Sequence, residues 1–334
     1  MKNLTRLTAL LLTGAMLLTL VACGSSDDTT SPDSDASGED TGTYTVGICQ
    51  LVQHVALDDA TQGFMDALNE ALPNQVNFYN QNASNEIPMC SAIVNQFIAE
   101  EVDLILANAT PALQAASAAT AEIPILGTSV TEYGAALGIE DFSGTVGGNI
   151  SGTSDLAPLD KQAIMIQDWF PDAETVGLLY CSAEANSQYQ VDVVKAELEA
   201  MGYTCRNYSF TDSNDLSSVV EGAVANCDII YVPTDNTVAS NTGIIDNICQ
   251  PAGIPVITGE EGICAGCGVA TLSISYYDLG VTTGQMAVKI LTGEADVSEM
   301  PIEYAPQFTK KYNEAMCAAL GLTPPDGYEA IAAE

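Results

Sequence analysis

The chain has 334 residues, with 44 acidic side chains against 8 basic ones, a single histidine and a net charge of −36. So small a supply of cations excludes a nucleic-acid partner, because the phosphates would go unneutralised. The hydrophobic content of 47% is that of a folded protein and rules out wholesale disorder.

Lys2 and Arg6 precede an apolar run from Leu7 to Ala22 that is too short and wrongly flanked for a membrane span, so it reads as a secretion signal. It ends Leu20-Val21-Ala22-Cys23, which resembles the bacterial lipobox. In that reading residues 1–23 are a lipoprotein signal and Cys23 carries the lipid, which places the protein outside the cytoplasm, anchored to the cell membrane. The alternative is an ordinary signal peptide followed by a chance cysteine. Residues 24–43 are Gly, Ser, Thr, Pro and acids with almost no apolar side chain, too little to offset ordering entropy, and read as an acidic tether. From Tyr44 onward there is more chain than one core comfortably serves, so two lobes are expected.

Short β-branched runs such as "TVGIC", "VNFYN", "DLILAN" and "IPILGT" alternate with segments of helical period. One of these carries Leu57, Ala60, Phe64, Ala67, Leu68 and Leu72 on one face. Mostly apolar strands alternating with helices imply a parallel sheet covered on both sides. The pattern then recurs. Thr45-Val46-Gly47-Ile48 matches Thr175-Val176-Gly177-Leu178, the helix end near Leu68 matches that near Leu198, and Ser84-Asn85-Glu86 matches Ser213-Asn214-Asp215. "VDLILANATPA" (102–112) matches "CDIIYVPTDNT" (227–237), and Ile123-Pro124-Ile125-Leu126 matches Ile254-Pro255-Val256-Ile257. Matches in one order at a near-constant offset indicate an internally duplicated α/β chain of two doubly wound, Rossmann-like lobes. The expected division is 44–150 plus about 276–300 for lobe 1, and 151–275 plus about 301–330 for lobe 2. "ATLSISYYDLGVTTGQMAVKILTG" (270–293) reads as a strand and then a helix from about Asp278 to Leu291. This segment, "TVGGNISGTS" near 150 and "MPIEYAP" near 303 are the expected crossings, which together form a three-stranded hinge.

Nine cysteines follow Cys23. Cys49, Cys181, Cys205, Cys227 and Cys249 lie in or beside apolar runs and read as small buried hydrophobes. Cys264-Ala-Gly-Cys267 has the spacing of a redox pair or half a zinc site. With no histidine or second close pair nearby and a strand following, a Gly-rich turn, with or without a local disulfide, is the expectation.

The stretches "VGICQLVQHVALDDATQGFMDAL", "VDLILANATPALQAA", "LLYCSAEANSQYQV", "IIYVPTDNTVAS" and "CGVATLSISYYDLGVTTGQMAVKIL" resemble a known family. It is the ABC transporter substrate-binding lipoproteins that include tryptophan- and tyrosine-binding members, of the type I periplasmic-binding-protein fold. The likeness runs from Tyr44 to about Thr323. The family usually has Glu and Pro flanking the histidine, where this chain has Gln53 and Val55, and its Asp-Pro after the fourth strand is replaced by "TSVTEYGAALG". The resemblance implies a monomeric extracytoplasmic receptor that hands a solute to a membrane ABC permease, with aromatic amino acids favoured and no cofactor.

In doubly wound sheets ligands bind at the carboxyl ends of the strands, and with two lobes the site is the cleft between them. Arg206 is the only arginine after the signal, so an anionic ligand group has to be held by backbone amides and hydroxyls. Thr110-Pro111 opens an alanine-rich helix, with Thr as N-cap and Pro at the first position, and offers exposed amides for a carboxylate. Plain capping is the alternative. Ser129 and Thr131, with Val130 between them, add hydroxyls or amides. In lobe 2, Ser182, Glu184, Asn186, Ser187, Asp235, Asn236 and Glu260 follow strands. There Glu184, Asp235 or Glu260 could face an ammonium, although Asp235 could serve only as a helix cap and Glu184 could be solvated. His54, with Gln50 and Leu51, sits on the first strand-to-helix loop and reads as pocket wall or loop anchor. A base would need a partner, a lone histidine makes a poor metal site, and no catalytic motif is present. Tyr133, Tyr189, Phe210, Tyr276 and Tyr277 are available for stacking or for core packing, and Tyr276 is placed in the site. An amino acid fits such a pocket. A sensor that presents to a membrane receptor, or an enzyme on the same scaffold, are the competing classes.

Overall fold

The computed structural model describes residues 43–332. The signal sequence, Cys23 and all of the acidic tether but its last residue lie outside them. Among the described residues no helix is long and apolar enough to cross a membrane.

The first half alternates strictly: β1 (Tyr44–Gln50), α1 (Val55–Ala71), β2 (Val76–Asn82), α2 (Ile87–Ala99), β3 (Leu104–Asn108), α3 (Thr110–Ala119), β4 (Ile125–Val130), a short α4 (Tyr133–Leu137) and β5 (Ile150–Ser154). The second half repeats it: α5 (Leu159–Trp169), β6 (Thr175–Cys181), α6 (Ala185–Ala200), β7 (Thr204–Phe210), α7 (Ser213–Val224), β8 (Ile229–Val232), α8 (Asn236–Ala239), α9 (Thr242–Ala252), β9 (Val256–Thr258), α10 (Glu261–Cys267) and β10 (Ala270–Ser273). The chain closes with α11 (Tyr276–Leu291), β11 (Glu303–Tyr304), β12 (Thr309–Tyr312), α12 (Glu314–Leu320) and β13 (Glu329–Ala330).

Two sheets result. The first is wholly parallel, in the order β11-β5-β4-β3-β1-β2. The second runs β13-β12-β10-β9-β8-β6-β7, parallel except where β12 meets β10. The shared order of five strands, 2-1-3-4-5 matching 7-6-8-9-10, is the duplication seen in sequence. Each sheet with its helices is here a lobe. The buried strands β3 and β4 carry apolar side chains on both faces because helices cover both.

Ile150–Ser154 pairs with β4 and Glu303–Tyr304 pairs with β5, so both stretches belong to the first sheet. The chain passes between sheets at 155–158, 274–275 and 305–308, which makes three short crossings. Helix α11 starts at Tyr276, capped by the Ser275 hydroxyl on the Asp278 amide, two residues before the periodicity suggested. It then packs along α1 so closely that the backbone sits where side chains would. A Cβ on Gly280 would strike the Ala60 carbonyl, and one on Gly63 the Tyr277 carbonyl. That contact fixes the start of α11, and with it Tyr276, against the first loop of lobe 1.

The Cys264/Cys267 stretch is helical, which corrects the expected turn. The Glu260 carboxylate accepts the Gly262 and Ile263 amides and so nucleates α10. Both thiols are buried and free, as are the other described cysteines apart from Cys205, which is free but half-buried. Among the described residues no cluster of three or more His, Cys, Asp or Glu is arranged to hold a metal.

Candidate functional site

The carboxyl ends of the two sheets face each other across the crossings, and two cavities lie between them. An open mouth of about 1090 Å³ is lined by Val55, Ala56, Ile274, Tyr277, Leu279, Tyr304 and others. Behind it is an inner cavity of about 10 Å³, room for about one water. They share His54, Ala239, Glu260 and Tyr276. The larger is solvent-facing; the smaller is where the buried polar groups converge.

Eight of the residues singled out in sequence are brought together on the inner wall. His54, Ser129, Thr131 and Tyr276 come from lobe 1, and Asn186, Asp235, Asn236 and Glu260 from lobe 2. Leu57, Asp155, Thr234 and Ala239 complete it without having been anticipated. Seven others are placed elsewhere. Gln50 is consumed within lobe 1, accepting the Thr61 hydroxyl at 2.7 Å and donating to Asp58 at 2.6 Å and to the Val52 carbonyl at 2.9 Å. Leu51 is core. Ser182 is exposed and donates to the Phe210 carbonyl at 3.0 Å, while Ser187 lies buried behind Asn186. Thr110 is not the cap of α3. Ala109 holds that position at φ 91°, no side chain caps the amides, and the buried Thr110 hydroxyl has no partner; Pro111 follows, buried.

The three acids expected to face an ammonium have different fates. Glu184 lines neither cavity. Its carboxylate accepts only from its own lobe, which corrects both the ammonium-facing and the solvated reading. Asp235 lines the inner cavity while also capping α8, accepting the Cys181 amide at 2.7 Å and the Val238 amide at 2.9 Å. Glu260 lines both cavities while capping α10. On the inner wall the acid that keeps an unpartnered oxygen is Asp155, in the first crossing: Oδ2 accepts the Tyr276 hydroxyl at 2.9 Å and Oδ1 has no partner.

Electrostatics follow from burial without cations. Asp155, Asp235 and Glu260 are each no more than 4% exposed, and no lysine or arginine lines the inner cavity. Burial holds the Asp155 carboxyl above the usual carboxylate range, partly offset by Tyr276. Burial, then the Glu184 charge, does the same to Asp235, and burial pushes Glu260 up to about 7. Burial without a neighbouring cation disfavours the ionised form of each. His54 moves the other way: burial lowers it, so the ring is neutral at neutral pH. Of the aromatic candidates, Tyr276 faces both cavities. Tyr133 is core, its hydroxyl on the Thr153 carbonyl at 3.0 Å, Phe210 is core, and Tyr277 is 41% exposed on the outer mouth.

On the lobe 1 side, Ser129 adopts φ 53°, a left-handed conformation unusual outside glycine, just where β4 ends, and its buried hydroxyl has no partner.

Residues 45–334 match the family model for ABC transporter substrate binding proteins. The chain belongs to this family. It is 31% identical over 306 residues to the tyrosine-binding protein of Clostridioides difficile (strain R20291), covering 91% of this chain and 88% of that one. It is also similar to the structure of an ABC domain from Streptococcus pneumonia in complex with L-Trp, with 30% identity, TM-score 0.82, and 87% and 100% of the two chains covered. A ligand-free, open substrate-binding protein with adhesive properties from Clostridium difficile is more similar in sequence, at 36%, yet fits less well, with a TM-score of 0.66 over the same shares. The chain is thus the substrate-binding component of an ABC transporter, with the two-lobed type I periplasmic binding fold, and its family and neighbours are solute-binding proteins, not enzymes.

Proposed function

We propose that this protein is an extracytoplasmic lipoprotein that delivers an amino acid to an ABC importer, and that the ligand's ammonium lies in the inner cavity. One observation carries the reading. Asp155, from the crossing, and Asn186, from lobe 2, line the same cavity, and each keeps one buried oxygen acceptor without a partner. Buried acceptors left unpaired cost about 1–3 kcal/mol each. A primary ammonium has three donors and satisfies both, and because they belong to different parts of the fold it does so only when the lobes are closed. The Ser129 hydroxyl lies on the lobe 1 side of the inner wall without a partner and suits a carboxylate oxygen, in keeping with the absence of a cation there.

A ligand's side chain would extend past Tyr276 and Ala239 into the larger cavity, which has the volume for an aromatic ring. The tyrosine- and tryptophan-binding relatives support an aromatic amino acid. The better fit to a ligand-bound relative than to an open one of higher identity supports a closed arrangement of the lobes here. Isothermal calorimetry against the standard L-amino acids tests the reading. Binding of an aromatic member in the micromolar range or tighter is expected, and silence across the whole panel would refute it.

A further inference from the structure

Two polar contacts join the lobes, both landing on the start of α8. His54 Nε2 meets Asn236 Oδ1 at 3.2 Å, and Asn85 Nδ2 donates to Thr237 Oγ1 at 3.0 Å. Asn85 and Thr237 line neither cavity. Behind them stands Glu184, whose carboxylate accepts five hydrogen bonds. The Oε2 atom takes the Asn236 backbone amide at 3.1 Å, the Asn236 side-chain amide at 2.7 Å and the Asn186 side-chain amide at 3.2 Å. Oε1 takes the Thr237 backbone amide at 2.9 Å and the Thr237 hydroxyl at 2.8 Å.

A carboxylate whose two oxygens take five hydrogen bonds acts as an acceptor only, and this has consequences at the lobe boundary. The NH₂ of Asn236 has to face Glu184, so its oxygen faces lobe 1. Thr237 has one hydroxyl hydrogen and spends it on Glu184, so its oxygen presents only lone pairs to Asn85. Lobe 2 therefore shows two acceptors, and only donors can meet them. Asn85 supplies an NH₂, held in place by a left-handed backbone at φ 63° that asparagine tolerates. His54, neutral in its buried setting, has to carry its hydrogen on Nε2.

We infer that Glu184 is a positioning residue for lobe closure, fixing Asn236 and Thr237 as acceptors so that lobe 2 closes only onto the donors His54 and Asn85. It does so through Asn236 and Thr237 and lines neither cavity, and its further bond from Asn186 is why Asn85→Asp is the cleaner variant. Of the two contacts, Asn85–Thr237 lies outside both cavities, and so can be tested apart from the solute.

Asn85→Asp tests it with the smallest disturbance, since it is isosteric, tolerates the same backbone and replaces the donor by an acceptor. Small-angle X-ray scattering of the full chain, alone and with a mixture of the twenty standard L-amino acids, reads the closed fraction. The closed-to-open ratio is expected to fall about tenfold in Asn85→Asp, while the melting temperature of the ligand-free variant stays at the parent value. In a Thr237→Val background the same change is expected to move the ratio less than twofold. Glu184→Gln is expected to lower it as well; should that variant fail to fold, Asn85→Asp decides alone. An unchanged ratio in Asn85→Asp, an equal loss in the Thr237→Val background, or a parent protein that never closes would each overturn the inference. A parent that closes alone and ignores the amino-acid mixture would instead sink the amino-acid reading and leave the latch standing.

Discussion

Replacing Asp155 by Asn separates what the site does for the ligand from what it costs the fold. Asp155 is 4% exposed, accepts one hydrogen bond at 2.9 Å from Tyr276 and has a second oxygen unpaired. Its folded carboxyl binds protons more tightly than an unfolded one, because burial penalises the charge. Stability then falls as pH rises above the unfolded carboxylate value of about 3.9, the sense opposite to that of a salt-bridged acid. The neutral amide removes that penalty, so the ligand-free Asp155→Asn protein is expected to melt at or above the parent temperature at pH 7. Binding moves the other way. A hydrogen bond to a charged group contributes about 1.5–3 kcal/mol net, so losing the ammonium–carboxylate pair raises Kd by about ten- to a hundredfold. Calorimetry with L-tyrosine and L-tryptophan, alongside thermal melting of both ligand-free proteins, gives the two numbers. Undiminished affinity would refute the assignment of Asp155 to the ammonium. Weak binding together with a lowered ligand-free melting temperature would show that the residue serves the fold instead.

The same carboxylates make affinity depend on pH. Glu260, pushed up to about 7 by burial, and the raised Asp155 and Asp235 ionise as pH rises, whereas burial lowers His54. Binding of an ammonium ligand is expected to tighten between pH 5 and about 8 and to release protons near neutrality, which calorimetry in buffers of different ionisation enthalpy will register; affinity flat over that window would contradict it. At the α1–α11 contact, Gly280→Ala would drive a Cβ into the Ala60 carbonyl. It is expected to destabilise by about 2 kcal/mol or more and to weaken ligand binding by displacing Tyr276, read as a lower denaturation midpoint and a raised Kd.

Much of the architecture is written in periodicity. The apolar face of Leu57, Ala60, Phe64, Ala67, Leu68 and Leu72 is buried as α1, and the repeated strand motifs are the corresponding strands of two sheets with one topology. These signals survive because each is local and each is reinforced by its copy. Helix starts were less legible. At Thr110 the residue type suggested a cap, but the turn out of β3 uses positive φ at Ala109, which no side-chain preference announces. At Cys264 the glycines suggested a turn, while a glutamate cap three residues before Ile263 was enough to start a helix.

The candidate site was legible in proportion to how far its residues lie on repeated loops. Ser129 lies at the end of β4, Thr131, Asn186, Asp235 and Asn236 follow strands at the carboxyl edge, where the general rule for doubly wound sheets places ligands, and all line the inner cavity. Asp155 follows β5 in the same way, but there the chain leaves lobe 1 instead of turning back into it. The counterpart of that step is the exit from β10 at 274–275, which like 155–158 lies outside the matched sequence motifs, so neither rule pointed to it. Its role comes from the crossing itself: Asp155 is bonded to Tyr276, the first helical residue after the second crossing, so the open oxygen of the cavity is tied to two of the three segments that change direction when the lobes move. On the proposed reading, an ammonium bound to that oxygen would engage two of the three crossings as well as the cavity walls.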